Sequence, residues 1–188
     1  MENLAREYPK VVEELVPHLL SLGDVQKVLQ NLQREQVSIR DLLTIFETLA
    51  DYAPMTKNIT HLTEYVRQAL ARTIVKPHLE EDGRINLISL DPRIENIVSE
   101  ATQHTEKESY LSLEPQKAQR ILNRIRQAVE EFSAANLQPI ILCSPLIRPH
   151  LKRLIERFLP RLVVLSHNEI PEKVTIQSRG IVEWSDED

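Results

Sequence analysis

Residues 139–165 read PIILCSPLIRPHLKRLIERFLPRLVVL, and this stretch decides the fold class. Ile140 to Cys143 is a short, wholly apolar run, as expected of a strand covered on both faces. Ser144-Pro145 then opens a helix with Ile147, Leu151, Leu154, Ile155 and Phe158 turned inward, and Leu162 to Leu165 repeats the buried-strand pattern. Strand, helix and strand in succession are the unit of an α/β arrangement. Upstream, Ile85 to Leu90 reads as another strand, followed by Asp91-Pro92 as an N-cap with proline at the first helical position. Ile94, Ile97, Val98 and Ala101 face that helix inward. A polar loop runs through Lys107-Glu108, and Pro115 opens a long helix carrying Ala118, Ile121, Leu122, Ile125, Val129 and Phe132. Downstream, Val174 to Ser178 alternates as a half-exposed strand, and the chain closes in Ser185-Asp186-Glu187-Asp188. The expectation is a small mixed sheet.

The first third has a different rhythm, with apolar residues at three- and four-residue spacing. Val12, Leu15, Val16, Leu19 and Leu20 form one stripe, bent or broken at Pro17. Val25, Val28, Leu29 and Leu32 form a second, with Asp24 as acceptor for its first-turn amides. Ser38 opens a third helix with Asp41 as its capping-box partner and a stripe of Ile39, Leu42, Leu43, Phe46, Leu49 and Ala50. Thr60 opens a fourth with Leu62, Val66, Ala69, Leu70 and Ile74 inward. Pro77, the acidic Glu80-Glu81-Asp82 and Gly83 mark a connection. The predicted class is therefore α+β or α/β: a small helical subdomain over residues 1–80, then an α/β subdomain over residues 81–188 with an acidic tail.

Composition removes several functions. The 188 residues carry 23 Lys+Arg, 28 Asp+Glu and a net charge of −5, which argues against nucleic acid as the main partner. With only Gly23, Gly83 and Gly180, no glycine-rich phosphate loop exists, and Walker and Rossmann fingerprints are excluded. The single Cys143 permits neither an intramolecular disulfide nor a cysteine-based zinc site, and suits a reducing compartment. No apolar run approaches the roughly 18 residues needed to span a bilayer. The start Met1-Glu2-Asn3-Leu4 lacks the features of a secretion signal, so a cytoplasmic location is expected.

Candidate chemistry is sparse. Cys143 and Ser144 sit at the C-terminal end of a predicted strand, where nucleophiles and ligands gather. Both glycines of a nucleophile elbow are missing, so a buried small hydrophobe and a helix cap account better for the two residues. None of the six histidines shows the i, i+4 pairing that places two imidazoles on one helix face, and no cofactor or metal is expected. Adjacent pairs such as Glu130-Glu131 diverge by about 100° on a helix instead of converging on a substrate.

Two binding readings remain. Short helices followed by a strand are reminiscent of a winged-helix DNA-binding regulator. Its recognition helix would be Thr60 to Ile74, with Arg67 and Arg72 but also Glu64. Arg148, Lys152, Arg153, Arg157 and Arg161 form a second basic cluster, although an amphipathic helix resting on a sheet gives the same pattern. The alternative is contact between proteins. Opposite their buried stripes, the second helix presents Lys27, Gln30, Asn31 and Arg34, and the third presents Arg40, Thr44, Glu47 and Asp51. Such mixed charge can register one subunit on another, and an ordinary solvated surface looks the same.

Resemblance adds what pattern does not. Val25-Gln26-Lys27-Val28-Leu29-Gln30-Asn31-Leu32, Arg34 to Leu42, Glu47-Thr48-Leu49-Ala50 and Tyr65 to Arg72 closely resemble the FlhA (FHIPEP) family of flagellar type III export-gate proteins. The likeness extends more loosely through Leu146-Ile147-Arg148-Pro149 and Leu162 to Ser166. Two positions depart from the pattern: Gln33 stands where an apolar residue is usual, and Phe46 where leucine or a similar aliphatic is. The resemblance implies the third and fourth subdomains of a cytoplasmic domain whose parent is anchored in the bacterial inner membrane. It implies a non-catalytic docking platform for export substrates, their chaperones and the soluble ATPase complex, assembled as a ring of neighbouring copies. The family's chaperone-docking depression lies in earlier subdomains, so no chaperone site is carried over. Gln30, Asn31, Arg34, Arg40 and Glu47 are the candidate subunit-interface residues, chosen from the two polar stripes and the implied ring.

Overall fold

The computed structural model describes residue 6 and residues 8–185. The starting Met1-Glu2-Asn3-Leu4 and the acidic Asp186 to Asp188 thus lie outside the described residues. The chain divides into two compact units, Met1–Ile74 with His104–Ser109, and Val75–Gln103 with Tyr110–Asp188. The division falls a few residues before the composition change at 80/81, and the first unit also takes in a later segment.

The first unit is helical. α1 (Pro9–Glu13) runs into a π-helical turn, Glu14–Leu19, interrupted at Val16, which is extended and precedes Pro17. α2 (Leu22–Arg34) starts one turn earlier than the Asp24 signal suggests. Ser21 is its cap, and Asp24 closes the capping box by accepting the Ser21 backbone N–H at 3.1 Å. α3 (Leu42–Tyr52) starts later than expected. Its cap is Asp41, whose carboxylate accepts the Thr44 N–H at 3.1 Å, and Ser38 lies outside the helix. α4 (Ile59–Ala69) is capped by Asn58, so Thr60 is a buried residue of its first turn and Ala69 is exposed. α5 (Ala71–Val75) follows, the Leu70 break dividing the single helix expected over Thr60 to Ile74. Leu15, Val25, Val28, Leu32, Ile45, Phe46, Leu49, Leu62 and Val66 are buried in this unit. Phe46 is fully enclosed, so the departure from an aliphatic residue is accommodated. Gln33 is exposed, and the buried face of α2 is the Val25, Val28, Leu32 stripe.

The returning segment is held by Asn58. Its Nδ2 donates to the Thr105 carbonyl and to Ser109 Oγ, both at 3.1 Å, while the Ile59 N–H reaches the Lys107 carbonyl at 3.0 Å. Asn58 Oδ1 meanwhile accepts from the Thr60 and His61 amides. One buried asparagine therefore caps a helix and fixes a loop.

From Arg84 on, β1 (Arg84–Leu90), α6 (Pro92–Glu100), β2 (Thr102–His104), β3 (Ser109–Leu111), α7 (Pro115–Ala134), β4 (Ile140–Cys143), α8 (Arg148–Ile155), β5 (Val163–Ser166) and β6 (Thr175–Val182) follow in order, all in the second unit except His104 at the end of β2 and Ser109 at the start of β3. Four strands form a sheet in the order β5-β4-β1-β6. Every pairing in it is parallel, as in Ile141 with Ile88, Leu142 with Leu165 and Ile176 with Ile85. The mixed character expected within one sheet is instead split, because antiparallel pairing is confined to the separate β2-β3 ribbon. Helical crossovers join β1 to β4 and β4 to β5, which forces those strands parallel. The ribbon occupies the polar loop, its strands too short to show a period.

Ile88, Ile141, Cys143 and Val164 on one sheet face pack with Ile94, Val98, Ile121, Ile125, Phe132, Leu151 and Ile155 from the helices. Leu87, Ile140, Leu142 and Leu165 are buried as well, so the central strands are covered on both faces as their apolar runs required. Phe158 departs from the expected stripe: α8 ends at Ile155, and Phe158 is 53% exposed in the turn beyond.

Asp91 fastens the end of this unit. Its carboxylate accepts the Arg93 N–H at 2.9 Å, an Arg93 Nη2 donor at 2.8 Å and the Trp184 N–H at 3.1 Å, and Arg93 also reaches the Trp184 carbonyl at 2.8 Å. These donors, Arg93 first, hold the Asp91 carboxyl down at about 2. Because the folded value lies below the ordinary one, the interaction stabilises fully above about pH 4 and is lost as pH falls toward 2. Asp91→Asn is expected to lower stability at neutral pH by on the order of 2 kcal/mol. It should also flatten acid-induced loss of stability between about pH 4 and 2, as read by denaturant unfolding across that range.

Candidate functional site

The first unit carries the five candidate interface residues on α2, on the loop after it and on α3. Gln30 and Arg34 are exposed on the outer side of α2, Arg40 is exposed just before α3, and Glu47 is exposed on α3. Asn31 is different. It is half-buried, and its Nδ2 donates to Thr63 Oγ1 at 3.2 Å, so its side chain ties α2 to α4. Among the described residues, none of the five bonds to another of the five. Three of them, Arg34, Arg40 and Glu47, thus present mixed charge outward beside the neutral Gln30, and Asn31 supports the helix that carries Gln30 and Arg34.

A polar pair that the sequence pattern did not reveal holds the same helix from behind. Arg67 of α4, 2% exposed, donates through Nη1 to Glu35 Oε2 at 3.1 Å, at the C-terminal cap of α2. Arg67 had counted as a basic residue of a recognition helix. Burial of its guanidinium against a carboxylate removes it from any phosphate-gripping face, which leaves that reading with Arg72 on a separate short helix. Breaking a buried pair from one side strands the other charge. Arg67→Ala should therefore lower the thermal midpoint sharply, by an amount corresponding to about 3 kcal/mol, whereas Arg34→Ala should change stability by less than about 0.5 kcal/mol.

The second basic cluster also dissolves in part. Arg148 is fully buried, with Nη1 toward the Val164 carbonyl at 3.5 Å, and Lys152 is 7% exposed, with Nζ on the Leu162 carbonyl at 2.6 Å and the Pro160 carbonyl at 3.2 Å. These two cations serve backbone carbonyls around β5, and only Arg153, Arg157 and Arg161 are exposed.

The nucleophile candidates are structural. Cys143 is fully buried with Sγ 3.8 Å from the Leu165 carbonyl. Ser144 Oγ accepts the Leu146 N–H at 3.3 Å, and the Ser144 N–H donates to Glu95 Oε1 at 2.8 Å, so the residue organises the turn into α8. Alkylation of Cys143 in the native protein should proceed only at the rate of unfolding, and denaturant should restore ordinary thiol reactivity.

His61 and His104 lie with ring centroids 5.7 Å apart, and His104 Nδ1 is 3.0 Å from Ser109 Oγ. Burial, and then the neighbouring His104, depress the His61 pKa. Among the described residues no group of three or more His, Cys, Asp or Glu is placed to share a metal ion. None of the described helices is long and apolar enough to cross a membrane.

The fold has close counterparts. The CdsV protein of Chlamydia pneumoniae superposes with a TM-score of 0.88 at 32% identity, covering 97% of this chain and 52% of that one. The nonameric EPEC SctV-C, solved by cryo-EM, superposes with a TM-score of 0.83 at 32% identity, covering 96% and 54%. Residues 1–175 match the FHIPEP family, and the chain belongs to that family. It is 43% identical over 183 residues to the flagellar biosynthesis protein FlhA of Bacillus subtilis, covering 97% of this chain and 27% of that protein. The chain spans about a quarter of the length of the curated relatives it matches.

Proposed function

We propose that this chain is the C-terminal portion of the cytoplasmic domain of a flagellar type III protein export gate, acting through protein contact without catalysis. On this reading the helical unit corresponds to the third cytoplasmic subdomain and the α/β unit to the fourth. The parent is anchored in the bacterial inner membrane and presents this portion to the cytoplasm. The observation that carries the reading is the combination of likeness to FlhA over 97% of this chain with exposed mixed charge on α2 and α3. Two supports, the half-buried Asn31 on Thr63 and the buried Arg67 on Glu35, hold that charged face in place.

Neighbouring copies are the first partners of that face. Gln30, Arg34, Arg40 and Glu47 contribute the side chains of the subunit interface, and Asn31 contributes rigidity. The nonameric state of EPEC SctV-C supports a ring for this protein too, and CdsV in complex with CdsO supports a secretion-system partner beyond the ring. Export substrates, chaperones and the soluble ATPase complex then engage the complete cytoplasmic domain. Reversing both charges, Arg34→Glu with Arg40→Glu, in the complete cytoplasmic domain should weaken its assembly roughly tenfold in sedimentation velocity without changing its melting. Assembly that is untouched by the double reversal contradicts the interface.

A further inference from the structure

The segment His104–Ser109 belongs to the helical unit, although the chain on either side of it, at Gln103 and Tyr110, belongs to the second. A short set of contacts docks it on the start of α4. Asn58 Nδ2 donates to the Thr105 carbonyl and to Ser109 Oγ, the Ile59 N–H donates to the Lys107 carbonyl, and Lys27 of α2 meets Glu108 at 3.9 Å. The segment contains no apolar side chain. Its hold is therefore polar, which places its release among the low-energy local openings of the fold.

Two imidazoles meet across this contact. His61, in the first turn of α4, and His104, at the near end of the segment, lie with ring centroids 5.7 Å apart and planes tilted by 52°. Both residues keep enough exposure for protons to reach them without unfolding. Ser109 Oγ is buried, receives the Asn58 Nδ2 donor and sits 3.0 Å from His104 Nδ1, so the His104 ring is held in place while the segment is docked.

Charging both rings puts two cations at this separation. The Debye length at physiological salt, about 8 Å, exceeds it, so salt does not screen the repulsion away. The other charges on the surrounding elements are Asp24 and Lys27 of α2, Glu64 of α4, and Glu106, Lys107 and Glu108 of the segment. Glu108 pairs with Lys27, and the Asp24 carboxyl is held below its ordinary range first by Ser21 and then by Lys27 and Lys107. Their balance does not favour the imidazolium: burial first, and then His104, sets the His61 pKa below its ordinary value of about 6.5. The His104 contribution exists only while the segment is docked. By linkage, docking is then fully favoured above about pH 6.5 and progressively weakened below it, far from the acid range in which Asp91 titrates.

We propose that His61 and His104 form a proton-operated clasp, which holds the His104–Ser109 segment on α4 when both imidazoles are neutral and releases it when both are protonated. Histidine suits this task because its ordinary titration falls between about pH 5 and 8. Release breaks the bonds to Thr105, Lys107 and Ser109 and the contact of Glu108 with Lys27. It leaves α4 its own cap, because Asn58 Oδ1 serves the Thr60 and His61 amides independently of the segment. The released state is a local opening, and the helical core of Val28, Leu32, Phe46, Leu49 and Leu62 stays closed. The inference rests on the geometry of the helical unit alone and not on the export-gate reading.

The test follows amide exchange in the 188-residue chain by NMR, for wild type, His61→Gln and His104→Gln, with each amide referred to its intrinsic rate. Spectra at about pH 7.5 and about pH 5.5 bracket the histidine range. At the lower pH the Ile59 amide, whose acceptor is Lys107, is expected to lose protection roughly fivefold, while the Leu62 amide, bonded to the Asn58 carbonyl, keeps its own. In both variants, checked for unchanged melting at the higher pH, the Ile59 loss should disappear. Ile59 protection that is equal at the two pH values, a loss that persists in both variants, or a loss that Leu62 shares overturns the proposal. Titration of the His61 ring protons in the wild type gives a reading that needs no variant. A midpoint below the ordinary histidine value, moving back toward it in His104→Gln, is expected, and an unshifted midpoint overturns the clasp.

Discussion

β1 is hydrogen-bonded on both sides, to β4 and to β6, and the second unit is arranged around that one strand. Burial on both faces of the sheet leaves its backbone polar groups no water, so each must find a strand partner. The parallel direction of β4 then requires crossover helices, and those helices bring Ile94, Ile121 and Leu151 over the sheet. At the end of β1, Asp91 converts the strand into the cap of α6 and holds the Trp184 backbone through its carboxylate. In the first unit Asn58 has the comparable place, serving a helix N-terminus and the returning Thr105–Ser109 segment with one side chain.

A protein that works by contact needs surfaces whose side chains are held still while remaining unspent. Arg67 against Glu35 and Arg148 and Lys152 on carbonyls near β5 are buried groups that do the holding, joined by the half-buried Asn31 on Thr63. If the α2 and α3 face is the contact surface proposed above, ordering it before a partner arrives would reduce the entropy lost on binding. On the proposed reading, the exposed Arg34, Arg40 and Glu47 would supply charge that discriminates between partners more than it adds affinity.

The helices and the apolar strands were readable from periodicity, because period 3.6 and continuous apolar runs report directly on which faces are buried. Helix starts were read less well. Asp24, Ser38 and Thr60 all belong to residue types that favour caps, yet the caps are Ser21, Asp41 and Asn58, since several such residues cluster at each start. The β2-β3 ribbon is three residues per strand and too short to carry a period. Sheet direction was not readable for β6, which follows β5 without an intervening α-helix. Arg67, Arg148 and Lys152 looked like surface charge because a sequence does not show the carboxylate or carbonyls that meet them after folding. The candidate interface was readable as polar faces, and Asn31 is the member whose role inside the unit depends on Thr63, 32 residues away in sequence and adjacent only after folding.

The most direct test of the contact account places a photo-crosslinking amino acid at Arg40 of the complete protein in native membranes and maps the adducts by mass spectrometry. The account predicts crosslinks from that position to α2 or α3 of a second copy. Adducts that lie only within one copy, or only on other proteins, would contradict it.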